Sequence, residues 1–324
     1  MSRAERRSAG GQLTDDDRLE ARMSRETEEE KFYNAVEETS RMMGVPFDRD
    51  KVRPLLTGYR GAFAEGNGIV FSVHADERHA GELNYAITVP PEIEDPYAHA
   101  VSHGFVVETG HPTATLLSDV RAQASVAEHF CDCGVVGGFR KLYAHFPHDL
   151  QEVAKLAEIP SMPRSLADNV GLFTRYGMEK VAMIGVNYRQ RHVSVYFQFT
   201  PDTRPEPDAV RAMLREVGLP DPDEKLLDFA HRTLRANITL GYESSDVLRV
   251  ALAPPPRRGL DLSEVPARIE PHIERFATGI PRTYSGDRVN LFAVKWAPEG
   301  EFLEVCSYYQ LSAMLQKLFV EDPE

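Results

Sequence analysis

The stretch GGFRKLYAHF, residues 137–146, alternates apolar and polar side chains in the manner of a β-strand. Because successive side chains of a strand point to opposite faces of the sheet, Lys141, Tyr143 and His145 share one face. A lysine, a tyrosine and a histidine on one face are well suited to holding an anion. Whether that face lies in water or lines an interior decides the fold, and the rest of the chain answers the question.

Composition predicts a globular protein, because 42% of the 324 residues are hydrophobic and 27% are charged. The formal net charge of −13 argues against nucleic acid or an anionic membrane as the main partner. No apolar run is as long as a membrane span requires. Any phosphate-binding group must therefore be local, set against an acidic background.

The first 25 residues are polar and contain Arg6 and Arg7 with no apolar segment behind them. We predict a disordered tail over residues 1–25 rather than a signal peptide. The three cysteines, Cys131, Cys133 and Cys306, are an odd number, which favours a reducing cytoplasm over a disulfide framework. The CDC sequence lacks a second ligand pair at zinc spacing, so it is interpreted as structural.

Segments of period two come in pairs along the chain, with segments of helical period between them. The predicted strand pairs are 68–74 with 82–89, 126–133 with 138–146, 180–187 with 191–199, 233–241 with 247–253, and 289–296 with 302–309. Short loops such as GVNYRQR and GYESSD indicate antiparallel hairpins. The predicted helices include HDLQEVAKLAEI, RSLADNVGLFTRYG, EPDAVRAMLREVGL and DEKLLDFAHRTL.

Each predicted strand has one apolar face, which helices can cover, and one face of polar and small residues. About ten antiparallel strands of this kind can close into a barrel whose second face surrounds a lumen. Tight hairpins cannot connect parallel strands, which excludes a parallel barrel. We predict an α+β fold: a ten-stranded antiparallel β-barrel surrounded by a ring of α-helices, formed by residues 26–324 as a single domain. Lys141, Tyr143 and His145 then line the lumen.

The chain resembles the ABBA-type, or PT-barrel, aromatic prenyltransferases, which repeat an α-β-β-α unit around a ten-stranded barrel. The resemblance spans about residues 28–318 and is carried by RDKVRPLL, GELNYAITV, DPYAHAV, TGHP, GGFRKLYAHFP, IPSMP, LFTRYGMEKVAM, LREVGL and EVCSYYQL. In character it is most similar to magnesium-independent bacterial members such as phenazine prenyltransferases.

The resemblance implies transfer of a prenyl group from an allylic diphosphate to an electron-rich aromatic ring in secondary metabolism. The expected donor is dimethylallyl diphosphate, and the expected acceptor is an aromatic carboxylic acid such as a dihydrophenazine carboxylate. Geranyl or dimethylallyl transfer to a hydroxynaphthalene, a naphthoquinone or hydroxyphenylpyruvate stays open. A non-catalytic binder of anionic aromatics is the alternative from another class. We expect a cytoplasmic monomer.

The resemblance assigns diphosphate binding to Lys141, Tyr143, Tyr196 and Arg249, whose alternation predicts that they face the lumen. Preorganised cations and hydroxyl donors in such a cavity stabilise a departing pyrophosphate. Lys295 adds a further cation. The alternatives are internal ion pairs: Lys141 or Arg249 with Glu82 or Glu304, and Lys295 with Glu304.

Magnesium-using members of the family carry an aspartate where this chain has Asn84. An amide is a poorer ligand than a carboxylate for hard divalent cations, but it can donate hydrogen bonds to a phosphate oxygen. The next inward residue, Ala86, adds no oxygen ligand. We therefore expect Asn84 to bind the diphosphate directly and the enzyme to need neither a metal nor another cofactor.

Arg235, Glu304 and Tyr308 are predicted to face the lumen and to bind the aromatic acceptor. A guanidinium pairs bidentately with a carboxylate, so Arg235 favours an acidic acceptor. Glu304 is a candidate to orient the ring and to take its proton, with an Arg235–Glu304 ion pair as the alternative. The tyrosine wall, which includes Tyr308, can shield an allylic cation through its π faces.

Overall fold

The computed structural model describes residues 27–321, and their main elements alternate as helices and antiparallel hairpins. The helices are α1 (Glu28–Met43), α2 (Arg49–Gly58), α3 (Pro96–Ser102), α4 (Thr113–Gln123), α5 (Val153–Leu156), α6 (Arg164–Arg175), α7 (Pro207–Glu216), α8 (Glu224–Ala230), α9 (Pro271–Gly279) and α10 (Ala313–Glu321). Short 3-10 turns cover Arg60–Phe63, Glu77–His79, Pro201–Thr203 and Leu262–Glu264.

The strands form one sheet that closes on itself. They are β1 (Ile69–His74), β2 (Asn84–Thr88), β3 (Glu128–Gly134), β4 (Gly138–His145), β5 (Gln151–Glu152), β6 (Lys180–Asn187), β7 (His192–Gln198), β8 (Arg235–Gly241), β9 (Val247–Ala253), β10 (Arg257–Arg258), β11 (Val289–Ala297) and β12 (Gly300–Gln310). The ten long strands run in the order β11-β12-β1-β2-β3-β4-β6-β7-β8-β9, and pairing of β9 with β11 closes the barrel. The two-residue strands β5 and β10 pair with β6 and β11.

The outer face of the barrel is apolar and packs against the helices. Phe32 of α1 lies 5.6 Å, ring centroid to centroid, from both Phe71 of β1 and Tyr85 of β2. On another side, Phe173 of α6 lies 5.3 Å from Phe197 of β7. All five rings are fully buried. The hydrophobic core therefore lies between barrel and helices, which leaves the inner face for other uses.

The predicted fold is confirmed: each of the ten predicted strands is present, and the barrel is closed and antiparallel. One predicted helix is wrong. The segment HDLQEVAKLAEI forms β5 and the four-residue helix α5, because Gln151 pairs with Val181 as an added strand. The predicted tail, residues 1–25, lies outside the described residues. Within residues 27–321, no helix is long and apolar enough to cross a membrane.

Candidate active site

The inner face of the barrel carries every residue that the sequence analysis assigned to binding. Directly opposed residues of an antiparallel pair share a face, and Lys141 is opposed by Asp132 of β3 and Asn187 of β6. Only 8% of Lys141 is exposed, so the polar face of β4 is an interior surface. By the same registers the inward positions include Asn84 (β2), Lys141 and Tyr143 (β4), Tyr196 (β7), Arg235 (β8), Arg249 (β9), Lys295 (β11), and Glu304 and Tyr308 (β12).

Cations gather at one end of the lumen, which we call the cationic end: Lys141, Arg249, Lys295 and Arg140. Burial, together with Arg249, Arg140 and Lys295, lowers the pKa of Lys141 to about 7, against the opposing effect of Asp132. Arg249 donates from Nη2 to Thr239 Oγ1 at 3.3 Å, and its buried Nε has no partner among the described residues. Such a concentration of positive charge is suited to a multiply charged anion.

Lys295 and Glu304 form the ion pair that the sequence left as an alternative. The Lys295 ammonium lies 2.9 Å from Glu304 Oε1 and 3.1 Å from His74 Nε2. Burial alone would raise the pKa of Glu304, but Lys295 and His74 hold it well below its usual range. Glu82 lies 3.7 Å from the other ring nitrogen of His74. Glu304 is therefore a carboxylate at neutral pH, and part of the Lys295 charge is already neutralised.

Two tyrosines form the wall beside this end. Tyr143 and Tyr196 meet edge to face with ring centroids 6.0 Å apart, and the Lys141 ammonium lies 5.9 Å from the centroid of Tyr143. Burial raises the pKa of both phenols, so both keep their O–H groups. Gly185 of β6 makes room for this wall, since a Cβ there would lie 2.7 Å from the Tyr143 ring.

Arg235 lies at the opposite end of the lumen, which we call the Arg235 end. It donates from Nε to Gln198 Oε1 at 3.0 Å, and its Nη2 lies 2.8 Å from His145 Nε2. His145 is four residues beyond Lys141 on β4, a separation of about 13 Å along the strand. The alternative of an Arg235–Glu304 ion pair is wrong among the described residues, because Glu304 pairs with Lys295.

Asn84 lies at the mouth of the cationic end. It is 6% exposed and borders a cavity of about 240 Å³ that is also lined by Glu82, Arg140 and Asn187. The amide is therefore close to the cations, where it can add a hydrogen-bond donor. The alternative pairing of Glu82 with Lys141 is replaced by the Glu82–His74 contact.

Comparison with known proteins identifies the family to which this chain belongs. The sequence model described as aromatic prenyltransferase Orf2 matches residues 27–319. The chain belongs to the aromatic prenyltransferase Orf2 family. Both the predicted family and the predicted enzyme class are thus confirmed.

Three named relatives of this aromatic prenyltransferase come from Streptomyces. The 5,10-dihydrophenazine-1-carboxylate 9-dimethylallyltransferase of Streptomyces anulatus is 36% identical over 93% of this chain and 99% of its own length. The flaviolin linalyltransferase of Streptomyces virginiae is 39% identical over 86% of this chain and 91% of its own length. The furaquinocin biosynthesis prenyltransferase of Streptomyces sp. (strain KO-3988) is 34% identical over 86% of this chain and 89% of its own length. The solved structure of 5-dimethylallyl tryptophan synthase from Streptomyces coelicolor matches with a TM-score of 0.49 at 10% identity, over 88% of this chain and 95% of that one.

One lumen carboxylate of this prenyltransferase, Asp132, was missed by the sequence analysis. It is opposed by Lys141, and its Oδ2 accepts a hydrogen bond from the Tyr143 hydroxyl at 3.3 Å. Its Oδ1 is buried and has no partner among residues 27–321. Glu128, Phe130 and Asp132 alternate on β3, which was the available signal. The opposite face, with His129, Cys131 and Cys133, is only weakly apolar, so the two faces are hard to tell apart from the sequence.

Arg140 was also missed, because strict alternation places it on the outer face beside Leu142. The register of β3 against β4 shifts between Asp132 and Cys133, so that Arg140 is left without a paired residue. An unpaired residue in a bulge re-aims its side chain, and Arg140 lines the cavity at the cationic mouth. The signal available in the sequence was the glycine pair that begins the strand.

The inner wall of this prenyltransferase offers little to a metal. Among residues 27–321, no group of three or more His, Cys, Asp or Glu side chains is arranged to hold a metal ion. Asn84, at the mouth of the cationic end, supplies no carboxylate ligand for a metal ion. Independence from metal stays a prediction.

Proposed function

We propose that this aromatic prenyltransferase transfers a dimethylallyl group from dimethylallyl diphosphate to an electron-rich aromatic carboxylic acid, such as a dihydrophenazine carboxylate. The observation that carries the proposal is the separation of two positively charged regions in one lumen: the cationic end, and Arg235 about 13 Å away along the strands. The relative that is a dihydrophenazine-carboxylate dimethylallyltransferase supports this pair of substrates. The three named Streptomyces relatives support a place in secondary metabolism.

In the proposed first step the diphosphate lies at the cationic end. Lys141, Arg249 and Lys295 contact its oxygens, and Tyr196 and Asn84 donate hydrogen bonds to it. The Tyr143 hydroxyl, which donates to Asp132 Oδ2 in the free protein, turns to the diphosphate when it binds. The bond between the allylic carbon and oxygen breaks, and its electron pair leaves with the pyrophosphate. Fixed cations stabilise this developing charge without reorganisation. The tyrosine rings face the allylic cation and attract it through their π electrons.

In the second step the acceptor ring attacks the allylic cation by Friedel–Crafts-type substitution. Arg235 holds the acceptor carboxylate, and Tyr308 contacts the ring. The arenium ion that forms is a strong acid, so even a weakly basic carboxylate such as Glu304 can take its proton. We assign Glu304 this role, together with orientation of the acceptor.

A second candidate acceptor is a hydroxylated naphthoquinone. The flaviolin and furaquinocin relatives favour it, with a geranyl or other prenyl donor, and hydroxyphenylpyruvate remains a further choice. Arg235 favours the carboxylic acid. A non-catalytic binder is disfavoured, because it has no use for a diphosphate site.

We further propose a metal-independent monomer in a reducing compartment. Asn84 supports independence from magnesium, and the free thiols of Cys131, Cys133 and Cys306 support the cytoplasm. The net charge of −13 supports small molecules rather than nucleic acid as partners.

The test is a panel reaction in excess EDTA. The purified chain is incubated under reducing conditions with dimethylallyl or geranyl diphosphate and with dihydrophenazine, hydroxynaphthoquinone and hydroxyphenylpyruvate acceptors, and products are read by mass spectrometry. We expect prenylated product from dimethylallyl diphosphate and the dihydrophenazine carboxylate, at a higher rate than from its carboxamide. A preference for the carboxamide, or activity with naphthoquinones alone, would overturn the proposed acceptor.

A further inference from the structure

Three side chains from three strands form a hydrogen-bonded chain at the Arg235 end. Arg235 Nη2 of β8 lies 2.8 Å from His145 Nε2 of β4, and His145 Nδ1 lies 2.9 Å from Glu128 Oε1 of β3. Gln198 of β7 accepts from Arg235 Nε at 3.0 Å. His145 is buried, with 4% exposed, and β3 and β4 pair directly at Glu128 and His145. The sequence analysis grouped His145 with Lys141 and Tyr143 on a face suited to an anion but assigned it no role of its own.

The partners of His145 fix its protonation state. A guanidinium has only donors, so His145 Nε2 must accept with its lone pair. The ring proton is then on Nδ1 and is donated to the Glu128 carboxylate. His145 is therefore the neutral Nδ1–H tautomer. Nε and Nη2 of Arg235 are engaged, while Nη1 makes no hydrogen bond among the described residues and is free for a ligand.

We propose that His145 is a positioning residue for acceptor recognition, held by Glu128 and in turn holding Arg235 in the orientation that binds the acceptor carboxylate. This inference rests on the proposed function, in which the acceptor is an aromatic acid. A guanidinium clamped at two of its nitrogens loses less conformational freedom when a carboxylate arrives. We call the Glu128–His145–Arg235 chain the clamp. Removing its His145 contact weakens binding of the acid and leaves the cationic end unchanged.

The clamp has a built-in dependence on pH. The charged and titratable groups that face His145 are Arg235 of β8, Glu128 of β3 and His148, which follows β4. Burial, and then Arg235, lower the pKa of His145 below its usual value despite Glu128. When His145 does protonate, its Nε2–H faces the donors of Arg235 and two cations repel. The affinity for an acidic acceptor therefore falls as the pH drops through that pKa.

The test compares two substitutions of similar size. His145→Phe keeps a ring but removes the acceptor atom, whereas His145→Gln keeps an amide oxygen that can accept from Arg235 and does not titrate. We expect His145→Phe to raise KM for the acidic acceptor roughly tenfold or more, with KM for the prenyl diphosphate unchanged. His145→Gln is expected to restore most of that loss and to flatten the acid side of the KM profile. Equal KM values in wild type and both variants, or equal losses for both substrates, would overturn the proposal.

A measurement on the free protein separates this inference from the proposed function. Nitrogen-15 NMR of the histidine rings should report His145 as the Nδ1–H tautomer, and Glu128→Gln should shift its Nδ1 resonance. This holds whether or not any aromatic acid is a substrate. A neutral Nε2–H tautomer at pH 7.5 would overturn the clamp, whereas the expected tautomer in a protein that prenylates no acid would overturn only the proposed acceptor.

Discussion

Binding of the prenyl diphosphate should take up a proton, and Lys141 is the reason. Its pKa of about 7 is set by burial and by the positive charges of Arg249, Arg140 and Lys295. A bound diphosphate adds negative charge beside the ammonium, which raises that pKa again. Because the charged form is lost above pH 7 and restored by the ligand, affinity must fall as the pH rises.

The size of the effect follows from the pKa. At pH 8 a lysine of pKa 7 is about nine-tenths neutral, so binding should take up close to one proton per site. Between pH 7 and 9 the dissociation constant should rise by up to about tenfold per pH unit. A phosphate's last proton is lost near pH 6, so the ligand's own titration contributes little in this window.

The assay is titration calorimetry with dimethylallyl thiolodiphosphate, which resists ionisation. Measurements at pH 8 in two buffers of different ionisation enthalpy give the number of protons taken up. Lys141→Arg, which stays charged, and Lys141→Met, which cannot be charged, are the controls and should take up much less than wild type. The reasoning is refuted if wild type and Lys141→Met show the same uptake and the same dependence of affinity on pH.

Three further predictions concern the acceptor, the metal and the tyrosine wall. Arg235→Ala should weaken binding of an acidic acceptor by about 2–5 kcal/mol, or roughly 30-fold and upward, and the variant should bind acid and amide alike, while Arg235→Lys should recover only part of the lost affinity. If the Arg235→Ala variant still discriminates acid from amide as the wild type does, Arg235 does not belong to the acceptor site. Steady-state turnover should persist in excess EDTA, and Asn84→Asp, which adds a carboxylate, should make the rate sensitive to EDTA; loss of wild-type activity restored by magnesium would show that a metal is needed. Gly185→Ala should push the Tyr143 ring aside, because the added Cβ would lie 2.7 Å from it, and thermal unfolding should report a loss of about 1–3 kcal/mol with a lower kcat/KM; unchanged kcat/KM would argue against a role for the ring in catalysis.

Most of the barrel could be predicted because strand alternation and hairpin loops are local signals. The faces of β7 and β8, and of β4 from Lys141 onward, follow from their residues alone. The helix predicted over residues 148–159 failed because Gln151 finds a tertiary partner in Val181, which helical periodicity cannot reveal.

The partners inside the lumen could not be predicted, because they depend on how far the strands are offset around the barrel. Alternation indicates that Arg235, Glu304 and Lys295 face inward, but not which of them are level. The offset brings Glu304 to Lys295 and Arg235 to His145. Arg140 was hidden by a bulge, since one extra residue changes the face of a side chain without changing the composition.

The most direct test of the central claim is a crystal structure of the chain with dimethylallyl thiolodiphosphate and a phenazine carboxylate. The claim is that one lumen holds a diphosphate and an aromatic acid at separate ends. We predict diphosphate oxygens within hydrogen-bond distance of Lys141 and Arg249, the acceptor carboxylate on Arg235, and the acceptor ring between them beside Tyr143 and Tyr308. A diphosphate bound at Arg235, or an acceptor carboxylate at the cationic end, would contradict the assignment of the two ends.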